Sequence, residues 1–218
     1  MKIKFTTNFG INLAYGYLMS QGILFNVDNI ISKKIDNFNK IHQEKIKKEK
    51  ISFHHTKLAR RMLLVENEDN FSIIDDINET DRFDISLCEY IMPFILEYNN
   101  LTSFKKFYFD EIYNLELDKI YEKKNLVIES IKAVYKTWKV QSKPKEITII
   151  NNSLRNGGHL DIIGNNEKIF VSINFFTPYD NMIRHLAMHE FSHYFQNKIF
   201  DKLSDEIMRI AYYVGYDV

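Results

Sequence analysis

The sequence predicts an α+β fold, with a mainly helical N-terminal region followed by a domain that combines helices with a small sheet. Apolar residues recur at helical spacing over most of the chain before the sheet. The period then changes, because residues 146–150, 158–163 and 168–175 are short runs rich in β-branched and aromatic residues, with glycines between them. We therefore expect residues 1–110 to form the helical region and residues 111–218 to form the second domain.

The N-terminal region begins with an alternating stretch, residues 1–7, that predicts a short strand. Residues 11–24 and 27–50 carry apolar positions at helical spacing, and the second of these predicts a long amphipathic helix. Residues 67–82 are acidic and rich in turn-forming residues, which predicts a loop or linker. The next helical pattern contains Pro93, which we expect to kink or break the helix.

The second domain is predicted from a change of period and from turn residues. Residues 102–140 predict one or two helices that end before Pro144. The last two predicted strands flank Gly164-Asn165-Asn166, which predicts a β-hairpin. Residues 180–200 contain neither Gly nor Pro and predict an amphipathic helix with one buried face. Its apolar stripe consists of Ile183, Leu186, Ala187, Phe191, Tyr194, Phe195 and Ile199.

The composition argues against several classes of partner. Lys+Arg and Asp+Glu each number 29, so the net charge is zero and no overall basic character favours a nucleic-acid partner. No apolar stretch is long enough to span a bilayer, so we expect no membrane partner. The single cysteine, Cys88, cannot form an internal disulfide, which fits a reducing compartment and a cytoplasmic location.

A His-Glu-x-x-His motif, formed by His189, Glu190 and His193, lies within the helix predicted at residues 180–200. Residues four apart share one face of a helix, so the two histidines can direct their ring nitrogens at one zinc ion about 2.0–2.1 Å away. Glu190 points to the neighbouring side and can accept a proton from a water molecule that the zinc activates. The motif therefore predicts a single Zn²⁺ with His189 and His193 as ligands and Glu190 as general base.

From about residue 115 onward, the predicted order is a long helix, three strands, the helix with the motif, and a final helix. This order resembles the zincin metallopeptidases, in which a backing helix and the active-site helix pack on one face of a twisted sheet whose edge lines the cleft. The resemblance implies hydrolysis of peptide bonds by a zinc-activated water. It also implies that an extended peptide or protein substrate binds along the edge formed by Gly158, His159 and Leu160.

The third zinc ligand distinguishes the groups of zincins. Those with an extended motif need a glycine and a further histidine or aspartate where this chain has Gln196 and Ile199. The resemblance therefore favours the gluzincin group, in which a glutamate of the following helix is the third ligand. A short loop after Phe200 and a helix capped by Ser204 would present Glu206 in this role. The competing candidates are Asp201, Asp205 and His185.

Three functions are consistent with these residues. The leading hypothesis is an intracellular zinc peptidase of gluzincin type whose N-terminal region covers, positions or regulates the cleft. The alternative is a non-catalytic or regulatory zincin-fold binding module that holds a structural zinc. Glu190 favours the first, because a structural zinc site takes four protein ligands and needs no base. A helical interaction protein with a chance motif is the third, and it would bind no zinc.

Overall fold

The structure is a computed structural model that describes residues 2–23, 27–49, 58, 62, 65–67, 72–73, 89–138, 144–155, 157–163 and 168–213. For residues 66–67, 72–73, 159, 161–163, 168 and 197–213 it describes the backbone alone. Cys88 and most of the predicted linker lie outside the described residues. No helix within these ranges is long and apolar enough to cross a membrane.

The described part of the N-terminal region is mainly helical. It contains β1 (Lys2–Thr6), α1 (Phe9–Ser20), α2 (Ile30–Ile41), a 3₁₀ turn (Gln43–Lys45), α3 (Met92–Thr102) and α4 (Phe104–Glu111). Asn8 begins α1, because its side chain accepts a hydrogen bond of 2.8 Å from the Ile11 amide. Asn29 and Ser32 form a reciprocal capping box at the start of α2. Side-chain caps thus fix where both helices begin.

Three expectations for this region need correction. The helix predicted over residues 27–50 ends at Ile41, because only Ile46 continues the apolar spacing beyond it. Among the residues described from 89 onward, Pro93 does not lie inside a helix but in the first turn of α3, where a proline has no helical hydrogen bond to lose. The described residues in and beside the predicted linker form two short antiparallel strands, β2 (Val65–Asn67) and β3 (Ser72–Ile73).

The three strands predicted from the change of period are confirmed as β4 (Glu146–Asn151), β5 (His159–Ile163) and β6 (Lys168–Ile173). They form a four-stranded sheet with β1, in the order β1-β4-β6-β5. The strands β1, β4 and β6 are parallel, whereas β5 is antiparallel to β6, which confirms the predicted hairpin. Among the described strands, β5 therefore ends the sheet on one side. β1 confirms the predicted N-terminal strand but pairs with β4 across the predicted domain boundary.

Two long helices, α5 (Tyr113–Trp138) and α6 (Asp180–Tyr213), pack against each other and cover one face of the sheet. The α+β class is therefore confirmed. Each fully buried aliphatic or aromatic side chain in this layer contributes about 1.5–3 kcal/mol. The buried residues of the layer include Val127, Ile131 and Val134 of α5, Ile147 and Ile149 of β4, Ile169 and Val171 of β6, and Ile183, Ala187, Phe191, Tyr194 and Phe195 of α6.

The opposite face of the sheet adjoins a second core, built by the N-terminal helices. Because side chains alternate along a strand, Ile150 of β4 joins this second core while Ile147 and Ile149 belong to the first. Glu116 of α5 is fully buried where the second core meets the sheet. The Asn12 amide of α1 and the Tyr108 hydroxyl of α4 both donate to its carboxylate, at 3.2 and 2.9 Å.

Candidate metal centre

Helix α6 presents two different faces along its described side chains. Ile183, Ala187 and Phe191, spaced four residues apart, are each at most 1% exposed and anchor the helix to the core. His185 and His189, spaced in the same way, are both exposed, and His193 is half-buried. The buried stripe thus fixes the helix, and the histidines lie along a different face that solvent reaches. This confirms the predicted apolar stripe wherever the side chains are described.

The two histidines of the motif converge. The Nε2 atoms of His189 and His193 lie 3.2 Å apart. Two nitrogens that each bind one ion at 2.0–2.1 Å with a tetrahedral angle are about 3.3–3.4 Å apart, so the observed separation fits a pair of zinc ligands. The ring of His185 is 6.1 Å from that of His189 and stacked on it. The described side chains contain no group of three His, Cys, Asp or Glu that could hold a metal ion.

Glu190 lies between the histidines in sequence but is itself buried, with 8% of its surface exposed. It packs against Gly158, the residue before β5. A Cβ atom at Gly158 would overlap the Glu190 Cγ and would come within 2.8 Å of both Cδ and Oε1. Gly158 is therefore required for the carboxylate to occupy its place beside the edge strand. The sequence predicts Gly158 as a substrate contact, and the structure adds that the space beside this glycine is filled by the Glu190 side chain.

The predicted short loop between Phe200 and Ser204 is wrong. α6 is one continuous helix from Asp180 to Tyr213, because no Gly or Pro interrupts it and an internal serine does not by itself end a helix. Glu206 stands thirteen residues after His193 in this helix, which at about 1.5 Å per residue separates them by roughly 20 Å along the axis. The structure therefore does not bring Glu206 to the histidine pair.

The other two predicted substrate residues lie on β5. Leu160 is partly buried and packs on the core beneath α5 and α6, so its side chain is a core contact. His159 pairs with Ser172 of β6, and only its backbone is described. The described contact between this part of the sheet and the motif is therefore the one between Glu190 and Gly158, which directly precedes β5.

A cavity of about 400 Å³ lies beside the first turns of α6, and we refer to it as the groove. Gly157, one of its lining residues, directly precedes Gly158, which packs against Glu190. Leu186 and Met182 precede Glu190 by four and eight residues and so lie on the same face of the helix. The opposite wall is the groove loop, residues 174–179, which connects β6 to α6. The groove is lined by Gly157, Asn174, Thr177, Pro178, Tyr179, Met182 and Leu186. Sequence reasoning missed it, because its walls come from separate parts of the chain.

Comparisons of this chain with protein-family models, with curated proteins and with solved structures found no match. The function is therefore inferred from the geometry of the site.

Proposed function

We propose that this chain is a zinc-dependent metallopeptidase that hydrolyses peptide bonds with Glu190 as general base. One observation carries the proposal: the Nε2 atoms of His189 and His193 converge to 3.2 Å, and the residue between them in the motif is a buried glutamate. A separation of this size fits two ligands of one tetrahedral ion. The arrangement of α5, α6 and an antiparallel edge strand around the pair also supports a zincin-like domain.

His189 and His193 would hold the zinc, and a catalytic ion would take a third protein ligand from outside the described side chains while it keeps one position for water. When bound, zinc supplies Lewis-acid chemistry that makes water a better nucleophile at neutral pH. Glu190 accepts the proton that the attacking water loses and then passes it to the leaving nitrogen. The contact with Gly158 holds the carboxylate in one position, which is the condition for efficient proton transfer.

The surroundings of the site indicate an extended peptide as substrate. Among the described strands β5 ends the sheet, so an extended peptide could pair with the backbone of its outer edge without its sequence being read. The groove can then receive one side chain, and Leu186, Met182 and Pro178 make its lining largely apolar. We therefore expect a preference for an apolar side chain beside the scissile bond.

The competing function is a binding or regulatory module of the same fold with a structural zinc. A structural site needs four protein ligands, whereas the described side chains bring only two histidines together here. A buried glutamate beside the pair also has no purpose in a purely structural site. Both observations favour the peptidase.

The proposal is tested by elemental analysis and peptide-library cleavage on the parent chain and on Glu190→Gln. Removing a general base lowers turnover by about 10²- to 10⁴-fold. Zinc content should remain at one ion per chain, because the glutamine is not a ligand and has the same volume. Glu129→Gln is the matched control, since Glu129 forms an exposed ion pair with Arg184 of α6 at 2.7 Å. Undiminished cleavage by Glu190→Gln would refute the assigned role.

A further inference from the structure

The groove loop is held by α5, the helix that backs the active-site helix. Lys123 of α5 is buried, with 7% of its surface exposed, and donates to the Thr177 carbonyl at 3.1 Å. The same ammonium lies 3.4 Å from the carboxylate of Asp180, the first residue of α6. A buried ammonium is costly unless it is paired, so both contacts stabilise this position of the loop end. The end of the groove loop is thereby fixed to α5.

The beginning of the groove loop is held through Glu116, two turns before Lys123 on the same face of α5. Asn151, at the end of β4, forms the bridge. Its side-chain amide donates to Glu116 Oε1 at 2.9 Å, and its Oδ1 accepts from the Phe175 backbone amide at 3.1 Å. Because one amide group makes both bonds, a change at the Glu116 carboxylate alters the hydrogen bond that Phe175 makes.

Glu116 also reaches the N-terminal helices. Asn12 of α1 and Tyr108 of α4 donate to Oε2 at 3.2 and 2.9 Å, while Ser153 donates to Oε1 at 2.6 Å. Of the described side chains that bond to this carboxylate, Tyr108 alone is itself titratable, and its burial raises its pKa. Burial also raises the pKa of Glu116 to about 7, against the effect of the four donors.

We propose that Glu116 is a positioning residue for the groove, which holds the groove loop through Asn151 and couples it to the position of the N-terminal helices. This inference rests on the proposed function, because the groove is where we place a substrate side chain. It gives the N-terminal region a physical route to the cleft, since Asn12 and Tyr108 act on the same carboxylate as Asn151.

The test is an NMR titration of the full chain that follows the Phe175 backbone amide resonance between pH 5 and 9. In the parent chain this resonance should shift with a midpoint near the Glu116 pKa of about 7. In Glu116→Gln this transition should be lost. In Tyr108→Phe the midpoint should rise by roughly one pH unit, because the carboxylate loses a hydrogen-bond donor that stabilises its charge. Glu129→Gln, an exposed change on the same helix, should leave the midpoint unchanged.

A Phe175 transition that persists in Glu116→Gln would overturn the inference. So would an unchanged midpoint in Tyr108→Phe, which removes only one hydroxyl and therefore remains informative if Glu116→Gln does not fold. These measurements need neither zinc nor cleavage. A chain that hydrolyses no peptide but shows the transition would keep this inference and lose the proposed function, whereas an active peptidase without the transition would lose the inference alone.

Discussion

Glu116 and Glu190 are the two glutamates that are buried among the described residues, and their surroundings differ. Glu116 accepts hydrogen bonds from four side chains of the N-terminal helices and of the sheet. These are Asn12 of α1, Tyr108 of α4, Asn151 at the end of β4, and Ser153 two residues after it. Glu190 instead packs against Gly158, and it directly follows the exposed His189 in the sequence. A carboxylate surrounded by donors joins parts of a fold, whereas a buried carboxylate in the motif between two convergent histidines is the one that we propose as general base. Burial alone does not distinguish these two roles.

The largest expected effect concerns the two histidines that we propose as zinc ligands. His189→Ala or His193→Ala should weaken zinc binding on the order of 10²-fold or more, because each variant removes one of the two convergent ring nitrogens. Competition with a chelator at fixed pH measures this loss. His185→Ala is the matched control, since this ring stacks on His189 without joining the convergent pair. A loss from His185→Ala equal to that from His193→Ala would assign the ligands differently.

The next prediction tests whether the buried carboxyl group of Glu116, which links the N-terminal helices to the groove loop, affects stability as it titrates. Its pKa is raised from 4.5 to about 7, so the folded chain retains this proton in a range where the unfolded chain releases it. The free energy of unfolding should therefore fall as pH rises from 4.5 to 7, by up to about 3 kcal/mol, and this contribution should level off above pH 7. Chemical denaturation at each pH measures it.

The matched comparison for that pH dependence is Glu116→Gln against Glu129→Gln. The first variant should lose the fall in stability between pH 4.5 and 7, because it has no proton to release at this position. The second should keep it. If both variants show the same fall in the free energy of unfolding with pH, another titratable group causes that fall and Glu116 does not.

A smaller effect on turnover is expected from a substitution at Gly158, which contacts Glu190 and directly precedes β5. Gly158→Ala should lower peptide turnover by roughly 10- to 100-fold, because the new methyl group displaces the carboxylate and a misplacement of about 1 Å can cost this much. Zinc affinity should not change, since the three atoms nearest to the new methyl group all belong to Glu190, which is not a proposed ligand. Gly158 does not have a positive φ, so alanine suits its backbone and the thermal midpoint should stay near that of the parent. Unchanged turnover would show that Glu190 moves freely.

The comparison also explains what the sequence could predict. His189 and His193 are four residues apart on one helix, so their spacing alone predicts that their rings converge, as they do in the structure. The strands and the hairpin were predictable for the same reason, because their periodicity is local. The partners of Glu116 are not local: Asn12 is 104 residues away and Asn151 is 35 residues away. Such contacts depend on how β1 joins the sheet, which no local pattern indicates.

The end of α6 is the position near the site where local reasoning was wrong, and it gives the smallest expected effect. A serine followed by acidic residues resembles a helix start, yet such residues are also tolerated inside a helix. Since Glu206 stands roughly 20 Å beyond His193 on a continuous helix, Glu206→Ala should change zinc affinity by less than about twofold. Chelator competition beside His193→Ala and Asp205→Ala measures this. A loss as large as that of His193→Ala would show that α6 bends after Phe200 when zinc binds and that Glu206 is the third ligand, and an equal loss confined to Asp205→Ala would assign that position to the aspartate.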